Sequence, residues 1–381
     1  MKGIYLDHNA TTPPHPAVVE EMRACLEQGW GNPSSIHAHG QTAKRILDLA
    51  RHRVAALVGA EPEEILFTSG GTESDNQALR GGSILRPEGA ILTSAIEHSA
   101  VLDTCKNLAA QGREVRILPV ASNGILDFDA LKAPSNGPVA LVSLMLANND
   151  LGTLQPVRET TEWAKTQGAI MHTDAVQAVG KIAVDVRELG VDLLSISAHK
   201  LYGPKGVGAL FIRRGLQLPA LLHGGPQERR LRAGTENLPG IAGFGKACEL
   251  AKANLERRSA HCRHLRDLLE RGVLEGIPGT RCNGDPKQRV PNTSNLSFEG
   301  LIAEDLLLNL DLDGISVSLG AACQSESRKP NPVLKALGQS DAEALSSLRL
   351  SMGEGNDEDD IRRTLEILKT TVSRLRQRIQ S

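Results

Sequence analysis

The stretch 169–212 decides the fold. It holds Ala169-Ile170-Met171-His172-Thr173, Leu193-Leu194-Ser195-Ile196-Ser197 and Gly208-Ala209-Leu210-Phe211-Ile212, three short apolar runs bounded by turn residues, and each reads as a buried strand. Runs of the same texture recur upstream at 65–68, 90–93, 115–118 and 140–146, which makes seven strands. Segments with helical periodicity, among them 72–79 and 156–166, separate several of these runs. That alternation predicts an α/β fold with a mainly parallel sheet covered by helices. Beyond about residue 245 the texture changes to a long helical stretch over 246–270, strand-like pieces at 294–298 and 315–318, and a last helix. This reads as a smaller α+β domain. The last helix begins with Asp357-Glu358-Asp359-Asp360 and ends among Arg374, Arg376 and Arg378, so its charges complement the helix macrodipole. The expected division is a large domain over 16–250 and a small one over 1–15 and 251–381.

Composition narrows the function. The 381 residues are 40% apolar but 2% aromatic, so the core is aliphatic. With 43 basic and 45 acidic residues, the formal net charge of -2 offers no field for gripping nucleic acid or anionic lipid, and a small-molecule substrate fits better. The opening Met1-Lys2-Gly3-Ile4-Tyr5-Leu6-Asp7 lacks the apolar stretch of a signal peptide, and no later run approaches a membrane span, so a soluble, cytoplasmic protein is expected. The six cysteines, Cys25, Cys105, Cys248, Cys262, Cys282 and Cys323, show no CxxC spacing, and reduced thiols are the default.

Chemistry concentrates where strands end. In Ser195-Ile196-Ser197-Ala198-His199-Lys200-Leu201-Tyr202-Gly203-Pro204-Lys205-Gly206 a buried-looking strand delivers Lys200 into a Gly/Pro turn. Desolvation there would lower its pKa and make it an imine-forming nucleophile, although a lysine in a loop also simply snorkels to solvent. Asp174, ending another apolar strand, suits a protonated pyridine nitrogen, and it equally suits a helix N-cap. Thr68-Ser69-Gly70-Gly71-Thr72 runs from strand to helix and forms a phosphate cradle or plain structural punctuation. His98 follows a strand at the same sheet edge and could lie over a planar ring, and Asn148-Asn149-Asp150 adds polar groups there. The small and polar residues of 316–332 describe a mobile loop, in which Cys323 lies beside Arg328 and Lys329, cations that favour thiolate.

Taken together, these segments resemble the cysteine desulfurases of the NifS/IscS type, within the class V aminotransferases. The likeness runs nearly end to end through Tyr5-Leu6-Asp7-His8-Asn9-Ala10-Thr11-Thr12-Pro13, Gly31-Asn32-Pro33-Ser34-Ser35-Ile36-His37, Thr68-Ser69-Gly70-Gly71-Thr72-Glu73-Ser74, Ser197-Ala198-His199-Lys200 and Gly234-Thr235-Glu236-Asn237. The resemblance implies the type I fold with helices on both sheet faces and the cofactor pyridoxal 5'-phosphate. It further implies that Lys200 carries the cofactor as a Schiff base, Asp174 binds the pyridine nitrogen, His98 stacks on the ring and Gln177 approaches the ring hydroxyl. Gly71, Thr72, Ser197 and His199 would hold the phosphate, with Thr235 reaching the phosphate of a neighbouring subunit in a homodimer. Asn149 and Arg349 would orient L-cysteine, and Cys323 would take its sulfur as a persulfide, releasing L-alanine. A scaffold or carrier protein would accept that sulfur for iron–sulfur cluster assembly or tRNA thiolation, with no direct contact to nucleic acid or membrane.

Three stretches depart from the family pattern: Pro330-Asn331-Pro332 where Pro-Ser-His or Pro-Ser-Tyr is usual, Gly353-Glu354-Gly355-Asn356-Asp357 after Arg349, and Gly225-Pro226-Gln227 in place of a glycine-richer run. Competing readings are a selenocysteine or cystine lyase or an aminotransferase on the same scaffold, and a non-catalytic binding protein. Metal binding would rest on His37 with His39, or on His261, Cys262 and His264, and no metal is expected.

Overall fold

A computed structural model describes residues 3–133, 137–320 and 329–380. The first strand and the large sheet run in chain order through β1 (Ile4–Tyr5), α1 (Pro16–Gln28), α2 (Ala38–Val58), β2 (Ile65–Thr68), α3 (Gly71–Leu85), β3 (Ala90–Ser94), α4 (Ser99–Ala110) and β4 (Val115–Leu118). They continue through α5 (Phe128–Lys132), β5 (Val139–Ser143), α6 (Val157–Thr166), β6 (Ile170–Asp174), α7 (Val186–Leu189), β7 (Leu193–Ser197) and β8 (Gly208–Ile212). Then come α8 (Leu238–Gly276), β9 (Thr280–Cys282), β10 (Thr293–Phe298), α9 (Ala303–Leu312) and β11 (Ile315–Ser316). The chain closes with α10 (Pro332–Ala336), α11 (Asp341–Leu345), β12 (Ser347–Ser351) and α12 (Glu358–Gln380).

All seven expected strands join one sheet in the order β2-β8-β7-β6-β5-β3-β4. Only β8 runs against its neighbours, and the other pairings are parallel. Alternate side chains along each strand point to opposite faces. Leu66, Ile91, Leu141, Ile170, Leu193 and Leu210 pack on α3 and α4 through Leu79, Val101 and Leu108. On the other face Ile65, Leu92, Val142, Met171, Leu194 and Phe211 meet α2 and α8 through Leu47, Val54 and Phe244. Burial on both faces explains why these strands read as continuous apolar runs. The run at 140–146 is strand only to Ser143, because the Met145 N–H turns to the Glu97 carboxylate at 3.0 Å instead of a ladder partner.

A second core lies beyond β8. There β10 and β12 contribute Leu296, Phe298, Leu348 and Leu350, which pack with Leu265 and Leu269 of α8, Leu306 of α9 and Ile361 and Leu368 of α12. β12, β10 and β9 form one antiparallel sheet, and β1 returns to this region to pair with β11 in parallel register, Ile4 opposite Ile315. The expected helix over 246–270 is longer, Leu238–Gly276, because Asn237 caps it by accepting the Gly240 N–H at 3.2 Å and Pro239 suits its first turn.

Parallel β2, β6 and β7 end on one edge of the large sheet. Thr68 stands opposite Gly208, Gly208 opposite Ser197, and Asp174 opposite Ser195. The carboxyl ends of strands in an open α/β sheet are where ligands bind.

Candidate active site

β7 passes Ser197 into a short turn, Ala198–Lys200, that closes when Ala198 O accepts the N–H groups of Leu201 and Gly203 at 3.1 and 2.9 Å. The turn presents the half-buried Lys200, whose Nζ donates to Asn9 O at 2.6 Å and Ala10 O at 2.8 Å. One strand over, the buried Asp174 accepts the Val176 N–H at 2.9 Å, so it does cap the following turn while its carboxylate remains at the sheet edge. Burial raises the Asp174 pKa, and the charge of His98, the Val176 N–H and Lys200 act in the opposite direction.

Beneath Asp174 lies a buried polar group. Burial pushes Glu97 up to about 8 and Asp75 well above the usual carboxylate range, with the neighbouring Asp174 adding to the rise at Asp75. Burial pulls His172 down to about 3. The 3.6 Å approach of His172 Nε2 to Asp75 Oδ1 therefore involves a neutral imidazole. The His172 ring is held between Ser143 Oγ at 2.8 Å and Ser195 Oγ at 3.0 Å.

The strand-to-helix turn after β2 adjoins this edge. A Cβ at Gly71 would meet Val176 Cγ2 at 2.9 Å and Ser197 Cβ at 3.7 Å, which sets the first turn of α3 directly beside Ser197. Gly70 before it takes φ 156°, a conformation rare for other residues. Thr72 is exposed at this helix start and Ser197 is buried. His199 Nδ1 lies 3.1 Å from Thr11 Oγ1, and burial, then the nearby Lys200 and Lys205, pull its pKa to about 4. His98 caps α4 by accepting the Ala100 N–H at 3.1 Å and is otherwise exposed.

At the opposite wall, β12 supplies Arg349. It is buried and pairs with Asp7 at 2.7 Å and Asp150 at 3.1 Å, and its Nη1 also donates to Asn149 O at 3.2 Å. Asn9 joins this wall to Lys200: its Nδ2 donates to Asn149 O at 3.0 Å, while its own carbonyl receives Lys200 Nζ and Gln177 Nε2. Lys200, Gln177, Asn149 and Arg349 thus form one connected group. Thr235 is exposed in the segment before α8, whose neighbours Gly234, Glu236 and Asn237 line a cleft with Thr68 and Ser69. Cys323 and Arg328 lie outside the described residues.

A family model described as Aminotransferase class-V matches residues 4–364. The chain belongs to the class-V aminotransferase family. It is 48% identical to a cysteine desulfurase IscS of Methanosarcina thermophila, over 98% of this chain and 93% of that one. A solved NifS-like protein, 37% identical, superposes with a TM-score of 0.91 over 97% of this chain and 99% of the other. A structure titled SspA in complex with cysteine, 33% identical, gives 0.81 over 92% and 99%.

Class-V aminotransferases that act as cysteine desulfurases depend on pyridoxal 5'-phosphate, and the donor set here fits that group. A buried carboxyl stands at Asp174, an amine at Lys200 in the turn after the neighbouring strand, and a glycine-bounded helix start lies alongside. Several class-V site neighbours carried no role in the sequence reading. Asn9 lay inside the quoted Asp7-His8-Asn9 block, but its hub position depends on contacts with residues 149, 177, 181, 200, 292 and 293. Lys181, buried within Val179-Gly180-Lys181-Ile182, donates to Asn9 Oδ1 at 2.8 Å and Gln177 Oε1 at 2.5 Å. Its burial, and then the charges of Lys200 and Arg349, depress its pKa. A lysine in an apolar run was the legible signal.

The departures are absorbed by contacts. Gly353 leaves room for the His8 imidazole, Glu354 pairs with Arg258 at 2.9 Å, and Asn356 Oδ1 accepts the Gly353 N–H at 2.9 Å. Gln227 Oε1 accepts the Gly234 N–H at 3.1 Å. The histidines considered for metal have other work: His37 caps α2, His39 stacks on Trp30, His261 reaches Asn356 O and His264 pairs with Glu358. No described helix is long and apolar enough to cross a membrane.

Proposed function

We propose that this chain is a pyridoxal-phosphate-dependent cysteine desulfurase that converts L-cysteine to L-alanine and takes the sulfur as a persulfide on Cys323. The observation that supports the reading is a large-sheet edge carrying Asp174 and Lys200 that faces Asn149 and Arg349, with Asn9 bonded to both Lys200 and Asn149. Pyridoxal phosphate, when bound, supplies an electron-withdrawing ring that makes the substrate Cα–H acidic.

The protein's own groups do the rest. Lys200 would hold the cofactor, with the Asp174 carboxylate at the pyridine nitrogen, His98 over the ring and Gln177 near the ring hydroxyl. Burial raises the Asp174 pKa, while the charge of His98, the Val176 N–H and the charge of Lys200 favour the ionised form that a cationic ring would face. Gly71, Thr72, Ser197 and His199 would bind the phosphate, His199 as a neutral imidazole. Arg349 and Asn149 would orient the substrate carboxylate, the guanidinium exchanging an internal carboxylate for the substrate's. Lys200 Nζ would also move the proton at the substrate Cα. The Cys323 thiolate then attacks the substrate sulfur: the S–S bond forms, the Cβ–S bond breaks with its electron pair remaining on carbon, and protonation there gives alanine. The other five thiols suit this poorly, because burial raises the pKa of Cys25, Cys105, Cys248, Cys262 and Cys282.

We further place the enzyme in the cytoplasm as a homodimer in which the exposed Thr235 reaches the partner's cofactor phosphate, and divide it into a large domain over 16–250 and a small one over 1–15 and 251–381. The cluster of Leu296, Phe298, Leu348 and Leu350 with Leu265, Leu306 and Ile361 supports a small domain, while Ile96, Met145 and Leu151 pack on Val333, Leu334 and Leu337 across the division. A scaffold or carrier protein would receive the sulfur for iron–sulfur assembly or tRNA thiolation. The test incubates purified protein with L-cysteine and pyridoxal phosphate, measures alanine and sulfide with and without reductant, and maps the persulfide by mass spectrometry. Alanine with a persulfide on Cys323 is expected, and full sulfur release by Cys323→Ser would overturn the reading.

A further inference from the structure

Asn331 occupies the place where the family pattern carries serine, and its side chain does more than serine can. Its Oδ1 caps α10 by accepting the N–H groups of Val333 and Leu334 at 2.9 and 3.4 Å. Serine, asparagine and aspartate perform that task comparably. The Nδ2 reaches further, donating to Asp150 Oδ2 at 3.1 Å and Leu319 O at 3.2 Å. Asp150 is fully buried, and its Oδ1 accepts from Arg349 Nη1 at 3.1 Å and Asn149 Nδ2 at 2.9 Å. The two oxygens of one carboxylate therefore join Asn331 to the pair expected to hold the substrate carboxylate.

The backbone repeats this link. Arg349 and Ser318 exchange both N–H···O bonds, at 2.7 and 3.1 Å, and Ser318 Oγ accepts the Gly320 N–H at 3.1 Å. Gly320 has φ 86°, and a Cβ there would press on Asn331 Nδ2 at 2.6 Å and on the Asp150 carboxyl at 2.8 Å. The close approach of Asn331 to Asp150 thus uses a glycine.

We propose that Asn331 is a positioning residue for substrate carboxylate binding: by engaging Asp150 Oδ2 it keeps that carboxylate from turning fully onto Arg349, and it fixes the guanidinium relative to the backbone at 318–320. The inference rests on the reading of Arg349 as the carboxylate-binding residue. Without the Asn331 donor, the Asp150 carboxylate loses one hydrogen bond and is freer to turn onto Arg349, and an incoming carboxylate competes less well.

Holoenzyme of the wild type, Asn331→Ser, Asn331→Asp and Arg349→Lys is titrated with L-alanine and with 2-aminoethanethiol, an amine lacking the carboxylate, following the cofactor absorbance. Steady-state kinetics with L-cysteine and thermal unfolding run alongside. Asn331→Ser should stay folded with a slightly lowered Tm, since the cap survives but the Nδ2 bonds are lost, while its Kd for L-alanine and KM for L-cysteine rise about 3- to 10-fold with kcat nearly unchanged. Asn331→Asp, which sets a second carboxylate against Asp150, should weaken L-alanine binding further. Binding of 2-aminoethanethiol should not change. Equal weakening of both amines, or intact L-alanine binding in Asn331→Ser while Arg349→Lys loses it, overturns the inference. Intact L-alanine binding in Arg349→Lys instead overturns the role of Arg349 and this inference with it.

Discussion

Lys200 and the carboxyls beneath Asp174 illustrate how burial assigns chemical roles to side chains of ordinary type. Lys200→Ala removes the imine-forming amine, so cofactor absorbance of the Schiff base should vanish and alanine formation fall by at least about 1,000-fold; retained turnover would remove Lys200 from the reaction. Glu97 supports a pH prediction. Folded, it keeps its proton up to about 8, against 4.5 for an ordinary glutamate, so the folded state binds the extra proton across that window and stability falls as pH rises through it. His172, lowered to about 3 from 6.5, acts on the other side: the unfolded chain binds more protons, and stability falls as pH drops through that window. Glu97→Gln should therefore flatten the decline in urea-unfolding stability between about pH 5 and pH 8 without removing it, because Asp75 contributes in the same direction. An unchanged slope would show that Glu97 is ionised in the folded protein.

At the scale of elements, strand ends and helix starts carry the site. The first turn of α3 can attract an anion because its N–H groups have no carbonyl within the helix and the macrodipole adds to them. Gly71 lets the turn stand against Val176 and Ser197. The Cβ of Gly71→Ala meets a side-chain methyl, which can shift, so the fold should survive while the Kd for pyridoxal phosphate rises about tenfold by fluorescence titration of the apoprotein. Unchanged affinity would place the phosphate elsewhere. The small-domain sheet supports Arg349 from the other side, and its stability rests on β10. Phe298 is fully buried there, so Phe298→Ala should cost about 3–5 kcal/mol in denaturant unfolding, and a loss under about 1 kcal/mol would contradict that role.

For the whole molecule, cofactor binding is linked to folding. Pyridoxal phosphate held between the sheet edge and the small-domain residues should stabilise the protein by about 2.7 kcal/mol at a hundred times its Kd. If Thr235 completes the partner's phosphate site, Thr235→Ala should lower cofactor affinity in the dimer while leaving sedimentation unchanged. Wild-type affinity in that variant would remove Thr235 from the site. The competing lyase and aminotransferase readings gain no support from the relatives, which are named cysteine desulfurases.

Local pattern alone determined that this chain forms seven strands alternating with helices, because the six covered on both faces must be apolar throughout, while β4 at the sheet edge carries Arg116 and exposes Ile117. It also marked Lys200, Asp174 and Gly71, since a polar residue or glycine ending such a strand stands out against its neighbours. Tertiary structure decided what no local window contains. Asn9 became the hub, Lys181 its buried support and Asp150 the link between Arg349 and Asn331 through contacts between residues as many as 342 positions apart. Such partners are chosen by how the large sheet and the small-domain elements pack together, and a hydrogen bond exists only where that packing brings donor and acceptor within about 3 Å.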